Sequence, residues 1–207
     1  MNRSLVFLAA STVLAGGLLL SRSGLTGPGG SVAEGAAPTP VYVDSIRPME
    51  EELRLFREDL EPVTALTGGA SSRDELIRSF LEALERQDWP AFDTMKITVA
   101  EFAWLYFPWT KYTSAPYELP PGLVWFQLDG FGANGLERAV TRIGGRPLGR
   151  EFRCPEEPVT RGDARFWSGC VVSVPGNAGE QGREMKLFGE IMEQGGVYKF
   201  VSYGNGL

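Results

Sequence analysis

The chain has 207 residues, enough for one folded domain with an appendage. Its 20 Lys and Arg residues face 26 Asp and Glu residues, so the formal net charge is −6 and the basic excess that nucleic-acid binding requires is lacking. Histidine is absent, which excludes Ser–His and Cys–His nucleophilic pairs and histidine-ligated metal sites, and two cysteines are too few for a cysteine-only zinc site. We therefore expect no nucleic-acid partner, no metal and no cofactor.

Residues 1–23 are typical of a segment that directs export. Arg3 supplies a positive charge, residues 4–20 are uncharged and mostly apolar, and Ser21 and Ser23 are small residues suited to a signal peptidase. The uncharged stretch is longer than a usual signal-peptide core and shorter than a full membrane span. Two interpretations stay open, a cleaved signal peptide and a retained anchor that holds the protein to a membrane through residues 4–20. Both place the rest of the chain outside the cytoplasm, in the periplasm or at the cell envelope.

Residues 24–44 are rich in Gly, Pro, Ala and Ser and show no apolar period, which is typical of a flexible tether. We expect residues 45–207 to form a single globular domain. Its first helix is predicted to begin near Pro48, because four apolar residues follow at helical spacing. These residues are Met49, Leu53, Phe56 and Leu60.

Two capping motifs predict where further helices begin. Ser72 and Glu75 have the spacing of a capping box, and the apolar period after them predicts a helix up to Gln87. Thr98 and Glu101 have the same spacing and open a short aromatic helix.

Residues 123–143 predict one or two more helices around a glycine-rich break at residues 130–135. The same six residues fit G-x-G-x-x-G, the phosphate-binding pattern of dinucleotide folds. No repeated strand–helix–strand pattern surrounds this motif in the sequence, so a plain break between helices is the favoured interpretation.

From residue 147 onwards the apolar period changes to two. Four strands are predicted, over residues 148–154, 164–174, 184–193 and 197–203. Helices followed by consecutive strands predict an α+β fold, with N-terminal helices packed on a C-terminal four-stranded antiparallel meander. An oxidising compartment would let the only two cysteines, Cys154 and Cys170, form a disulfide across the first hairpin. Two unpaired buried thiols are the alternative.

The segment ELIRSFLEALERQDWPAFDTM at residues 75–95, with more helix and a terminal sheet after it, resembles the nuclear transport factor 2-like (SnoaL-like) superfold. The resemblance covers roughly residues 72–207 and implies a cystatin-like α+β cone. Members of the superfold include isomerases, cyclases and dehydratases as well as binding and assembly domains without catalytic activity, so the resemblance fixes no function. The helical region 123–143 departs from the simplest layout of the family.

Aromatic residues are concentrated in the middle of the chain, since twelve of the 23 lie between Trp89 and Phe131. Such side chains, with nearby carboxylates, could line an apolar pocket for a small ligand or a protein partner. The candidate pocket residues are Trp104, Tyr106, Trp109, Trp125, Glu101 and Asp129. The alternative is that the aromatic residues fill the space between helices and sheet.

Without histidine, carboxylates are the bases that remain for an enzyme. Asp93, Glu101 or Asp129 could move a proton while Tyr106 stabilises an enolate, as in an isomerase or dehydratase without a cofactor. Each of the three carboxylates also has a structural explanation, as a helix cap or a residue of a surface turn.

The lack of a catalytic constellation in the sequence favours a binding or assembly module of the cell envelope, exported or membrane-tethered. Its expected partner is an unknown protein or a small apolar ligand. A small cofactor-free enzyme with a carboxylate base in an apolar pocket is the alternative hypothesis, and a structural envelope component without a ligand is a third.

Overall fold

The computed structural model describes residues 47–176 and 181–205. The predicted signal peptide or anchor at residues 1–23 and the predicted tether at residues 24–44 lie outside the described residues. Among the residues that are described, no helix is long and apolar enough to cross a membrane.

The helical half of the described chain begins, as predicted, just after Pro48. The α-helices are α1 Met49–Arg57, α2 Arg73–Arg86, α3 Trp89–Met95, α4 Val99–Glu101 and α5 Pro121–Ile143. After α4 the chain continues as a π-helical turn, Phe102–Tyr106, and then as two 3-10 turns, Phe107–Trp109 and Lys111–Thr113.

The predicted capping residues begin α2 and α4. The hydroxyl of Ser72 accepts a hydrogen bond of 3.1 Å from the backbone N–H of Glu75. Thr98 and Glu101 form a complete capping box, in which each side chain accepts a hydrogen bond from the other residue's backbone N–H. These bonds satisfy N–H groups that have no partner inside the helix, so the local sequence sets both starting points.

The described strands form two antiparallel sheets. They are β1 Phe152–Arg153, β2 Val159–Arg161, β3 Ala164–Trp167, β4 Val171–Val174, β5 Arg183–Met185, β6 Ile191–Gln194 and β7 Val197–Phe200. The three-stranded sheet has the order β1-β4-β5, and the four-stranded sheet has the order β2-β3-β6-β7. The fold is therefore mixed helix and sheet of the α+β type, as predicted.

The predicted single meander needs a correction, because two of the predicted strands are each divided between the sheets. The segment 164–174 breaks at Gly169, whose φ of +83° suits glycine, and gives β3 and β4. The segment 184–193 breaks near Gly189, which packs so closely on Ser202 that an added Cβ would lie 2.9 Å from the Ser202 hydroxyl oxygen. It gives β5 and β6. Strand β3 therefore pairs with β6 rather than with the next strand along the chain.

The predicted glycine-rich break is wrong, since α5 runs without interruption from Pro121 to Ile143. Gly132 and Gly135 lie where the helix crosses the chain at Tyr203, and a Cβ on Gly135 would collide with the Tyr203 carbonyl oxygen. The two glycines thus permit a close approach of two backbones. The G-x-G-x-x-G pattern lies inside a helix, and not at the helix N-terminus that a pyrophosphate would require.

The four-stranded sheet lies between two clusters of buried side chains. The first cluster joins α2 and the C-terminal half of α5 to the sheets and includes Phe80 and Trp167. The second cluster surrounds the π-helical turn and includes Phe102 and Phe166. Neighbouring residues of β3 therefore point into different clusters, as the alternation of side chains along a strand requires.

Cys154 and Cys170 form a disulfide, which confirms the predicted bond. The sequence predicted that the bond would close a hairpin of consecutive strands, and this part of the prediction is wrong. It joins the ends of β1 and β4, where Arg153 pairs with Val171. The hairpin formed by β2 and β3 lies within the loop that the disulfide closes.

Candidate functional site

Glu101, a predicted pocket residue, is buried in an ion pair with Lys199 of β7, and the two residues are 1% and 2% exposed. Lys199 Nζ donates to Glu101 Oε2 at 2.7 Å and to the Thr67 carbonyl at 3.0 Å. The carboxylate also accepts from the backbone N–H groups of Thr67 at 2.8 Å and Thr98 at 2.7 Å.

The surroundings of Glu101 decide its charge. Burial raises the pKa of Glu101, but the hydrogen bonds from Lys199 and from two backbone N–H groups outweigh burial and leave the pKa below its usual value. Glu101 is therefore held as a carboxylate whose oxygens are already occupied, which suits a structural role better than that of a base.

The other two candidate bases, Asp93 and Asp129, lie at the surface. Asp93 is exposed on α3. Asp129 accepts a hydrogen bond of 2.6 Å from Lys96, whose Nζ lies 5.9 Å from the ring centroid of Trp125. Trp125 packs on Phe102, with 5.1 Å between ring centroids. Lys96 thus links two predicted pocket residues, Trp125 and Asp129, in an arrangement that neutralises the carboxylate.

A polar cluster that the sequence did not predict surrounds Glu190, immediately before β6. Arg161 of β2 donates to both carboxylate oxygens of Glu190, at 2.7 and 3.2 Å. The hydroxyl of Ser168 donates to the same carboxylate at 2.9 Å, and the hydroxyl of Tyr106 at 3.4 Å. Burial, followed by the charge of Glu190, raises the pKa of Tyr106, so its hydroxyl stays a donor. Pairing of β2, β3 and β6 brings Arg161, Ser168 and Glu190 together, and Tyr106 reaches them from the π-helical turn.

Trp109 is half exposed, and its ring lies against the backbone of Gly162 in the turn between β2 and β3. A Cβ on Gly162 would collide with the Trp109 ring, and the φ of Gly162 is +58°. Glycine is therefore required here both by the turn and by the ring that covers it.

Trp104, in contrast, lines an open groove of about 650 Å³ between α1 and the chain that follows α1. The apolar part of the groove is formed by Leu53, Leu60, Pro62 and Trp104. A volume of this size falls within the range of small-molecule sites. The indole N–H of Trp104 is buried and has no hydrogen-bond partner among the described residues.

Arg57 holds Trp104 at the groove. Its guanidinium lies 3.9 Å from the centroid of the Trp104 ring and donates two hydrogen bonds to the Ala103 carbonyl, at 2.7 and 3.1 Å. In the π-helical turn the fifth residue after Ala103 is Pro108, which has no N–H to donate. The side chain of Arg57 supplies the donors instead, so α1 is attached to the aromatic segment at this carbonyl.

The rim of the groove is acidic. Glu50, Glu58 and Glu61 line it, and their side chains form no ion pair or hydrogen bond within the described part of the chain. Arg54 also lines the groove but is neutralised by Glu51, with 2.8 Å between Nε and Oε2. Among the described residues, the groove therefore combines an apolar floor with three carboxylates that form no ion pair. Two cations lie beside them: Arg54, whose charge also acts on Glu58, and Arg57, which is stacked on Trp104.

No group of three or more His, Cys, Asp or Glu residues that could hold a metal ion occurs within residues 47–176 and 181–205. No protein-family model, curated protein or solved structure matches this chain. The function is therefore inferred from the geometry of the chain itself.

Proposed function

We propose that the chain is a binding or assembly module of the cell envelope, exported or membrane-tethered, whose groove beside α1 receives an apolar group that carries a positive charge. The observation that carries the proposal is the combination of the Trp104 floor with the unpaired rim carboxylates Glu50, Glu58 and Glu61. The indole N–H of Trp104 is buried, so its resonance reports on the floor of the groove rather than on exposure to solvent.

The location outside the cytoplasm is supported by the disulfide, because such bonds persist mainly in oxidising compartments. It is also supported by the uncharged segment 4–20. We further propose that the α+β fold is a cystatin-like cone of the nuclear transport factor 2-like type, on the strength of helices that precede antiparallel strands.

A binding role agrees better with the described contacts than the alternative, a cofactor-free enzyme. Such an enzyme needs a carboxylate that can accept a proton beside a tyrosine donor. Glu101 and Asp129 are each engaged by a lysine, and the Tyr106 hydroxyl donates to Glu190. The groove brings apolar surface together with three carboxylates that form no ion pair within the described residues.

A pair of matched small molecules tests the groove. L-phenylalaninamide carries an aromatic ring, a positive charge and a carbonyl acceptor, whereas N-acetyl-L-phenylalanine carries the same ring with a negative charge. We expect the amide to shift the indole Nε1 resonance of Trp104 in a nitrogen–proton correlation spectrum and the acid to leave it unchanged.

Two sets of variants control this titration. Glu58→Gln and Glu61→Gln should each weaken binding of the amide by a factor of about 1.5 to 5, the range of exposed charge pairs. Trp109→Leu, which removes a half-exposed ring outside the groove, should leave binding unchanged. Equal shifts with the amide and the acid would contradict the proposal, as would full binding of the amide by Trp104→Leu measured by isothermal titration calorimetry.

The location is tested independently of the groove. N-terminal sequencing of the protein recovered from the cell envelope distinguishes a cleaved signal peptide from a retained anchor. Gel mobility with and without reductant should show an oxidised Cys154–Cys170 pair. Recovery from the cytosol with both thiols reduced would remove the envelope assignment.

A further inference from the structure

The N-terminal half of α5 carries a second apolar surface, made of Leu123, Phe126 and Phe131 and called the α5 face from here on. Phe126 and Phe131 are 75% and 67% exposed, the highest values among the large hydrophobic residues that the structure describes, and Leu123 is 42% exposed. On an α-helix these three positions fall within an arc of about 140°. Large apolar side chains exposed on one side of a helix are candidates for contact with another molecule.

The α5 face is uncharged. Between Pro121 and Asn134 the only charged residue is Asp129, and it is paired with Lys96 at 2.6 Å. The chain as a whole has a net charge of −6, so the molecule as a whole is repelled by anionic lipid. The α5 face can approach a lipid bilayer without this repulsion.

The loop that leads into α5 contains residues typical of a membrane interface. Lys111 Nζ lies 5.4 Å from the ring centroid of Tyr112 and 4.6 Å from that of Tyr117, and Tyr117 is half exposed. Tyrosine and lysine are favoured at the level of lipid headgroups, because each combines an apolar body with a polar tip.

The size of the α5 face favours a bilayer over a second copy of the chain. The two phenylalanine rings together expose roughly 300 Å² of apolar surface. A stable protein interface buries about 800 Å² on each partner, so the face is too small to hold a dimer by itself. A bilayer interface needs no surface of complementary shape, and its contact with a few apolar side chains adds to any covalent attachment.

We infer that the α5 face rests in the interface of the lipid bilayer to which residues 4–20 anchor the chain. The inference rests on the membrane-tethered form of the proposed function. Residues 21–46 separate the apolar segment from the first described residue, and a tether of that length, if flexible as proposed, would span about 25–30 Å. The described chain begins with α1, whose Phe56 packs on Gly122 at the start of α5. The bilayer is therefore within reach of the α5 face.

The test uses the full chain, with a protease recognition sequence placed in the tether between residues 28 and 34. The protein is reconstituted through its anchor into phosphatidylcholine vesicles, the tether is cut, and flotation measures the fraction of the released domain that stays with the vesicles. We expect this fraction to be at least tenfold larger for the wild-type domain than for Phe126→Ser/Phe131→Ser. Retention should survive added salt, because the contact is apolar.

A matched control is Val159→Ser, which alters an exposed apolar residue on β2 and should not change retention. Equal release of the wild-type and doubly substituted domains would overturn the inference. It would not affect the proposal that residues 4–20 anchor the chain. A concentration-dependent dimer in sedimentation, formed without vesicles and lost in the double variant, would also overturn it and assign the face to a second copy. Failure of the full chain to stay with vesicles before the cut would instead refute the tether, and the inference with it.

Discussion

Glu101 and Glu190 are two carboxylates that adjoin the same four-stranded sheet, yet their surroundings give them different roles. Glu101 is 1% exposed and faces a lysine that is 2% exposed, whereas the Glu190 side chain is 15% exposed and faces an arginine that is 31% exposed. Fully buried charges depend on each other, because neither can be solvated when its partner is removed. Partly exposed charges stay partly hydrated, so water offsets some of the free energy that is lost when a partner is removed. The free-energy cost of removing one partner of each pair should therefore follow burial and not the number of hydrogen bonds.

The largest expected effect comes from Lys199→Met, which keeps the length of the side chain and leaves the Glu101 carboxylate without its cation. We expect the free energy of unfolding to fall by about 3–5 kcal/mol, the cost of an unpaired buried charge. Urea titration with linear extrapolation measures the change. Glu101→Gln combined with Lys199→Met should cost less than Lys199→Met alone. A loss below about 1 kcal/mol for Lys199→Met would refute the dependence of the pair on burial.

An intermediate effect is expected from Glu190→Gln. The substitution removes the charge that Arg161 contacts but keeps an oxygen that can accept from Ser168 and Tyr106. We expect a loss of about 1–3 kcal/mol, typical of hydrogen bonds to charged groups. The same urea titration applies, with Arg54→Met on α1 as a control that removes an exposed ion pair and should cost less than Glu190→Gln. A cost equal to that of Lys199→Met would contradict the comparison.

The smallest effect is expected for Glu85, a carboxylate that is paired with an arginine at the surface. Hydrogen bonds from Arg150 lower the pKa of Glu85 from 4.5 to about 2. Burial acts in the opposite direction, and the hydrogen bond from the Leu148 N–H lowers the pKa further. Because the folded-state pKa is the lower one, the interaction stabilises the fold above pH 4.5 and is lost as the pH falls towards 2.

Since Arg150 is 41% exposed, we expect solvent to screen this contribution to below about 1 kcal/mol. Urea midpoints of the wild type and of Glu85→Gln, compared at pH 3 and pH 6, measure it. The difference between the two proteins should be smaller at pH 3. A difference that grows on acidification would contradict the assignment.

The helical half of the fold was predictable because its signals are local. Capping boxes at Ser72 and Thr98 and the apolar period after them need only neighbouring residues. The sheet order was not predictable in this way, since the pairing of β3 with β6 depends on the breaks at Gly169 and Gly189. The glycines of α5 misled the prediction because Gly135 serves a contact with Tyr203, which lies far away in sequence.

The candidate site was only partly predictable for the same reason. Trp104 was predicted as a pocket residue only because aromatic residues are concentrated in its segment of the sequence, and it lines the groove. The acidic rim residues Glu50 and Glu58 could be interpreted from sequence only as a solvated helix face. Lys199 and Glu190 carry no local signal, because each finds its partner through long-range strand pairing.

The strand order has a consequence for how the domain comes apart. Between β3 and β6, which are neighbours in one sheet, the chain builds β4 and β5 of the other sheet, so the two sheets are interleaved along the sequence. We therefore expect that neither sheet can separate from the domain while the other sheet keeps its strand pairing. Both sheets, including the hairpin β2–β3 inside the Cys154–Cys170 loop, should lose hydrogen-exchange protection in a single cooperative event.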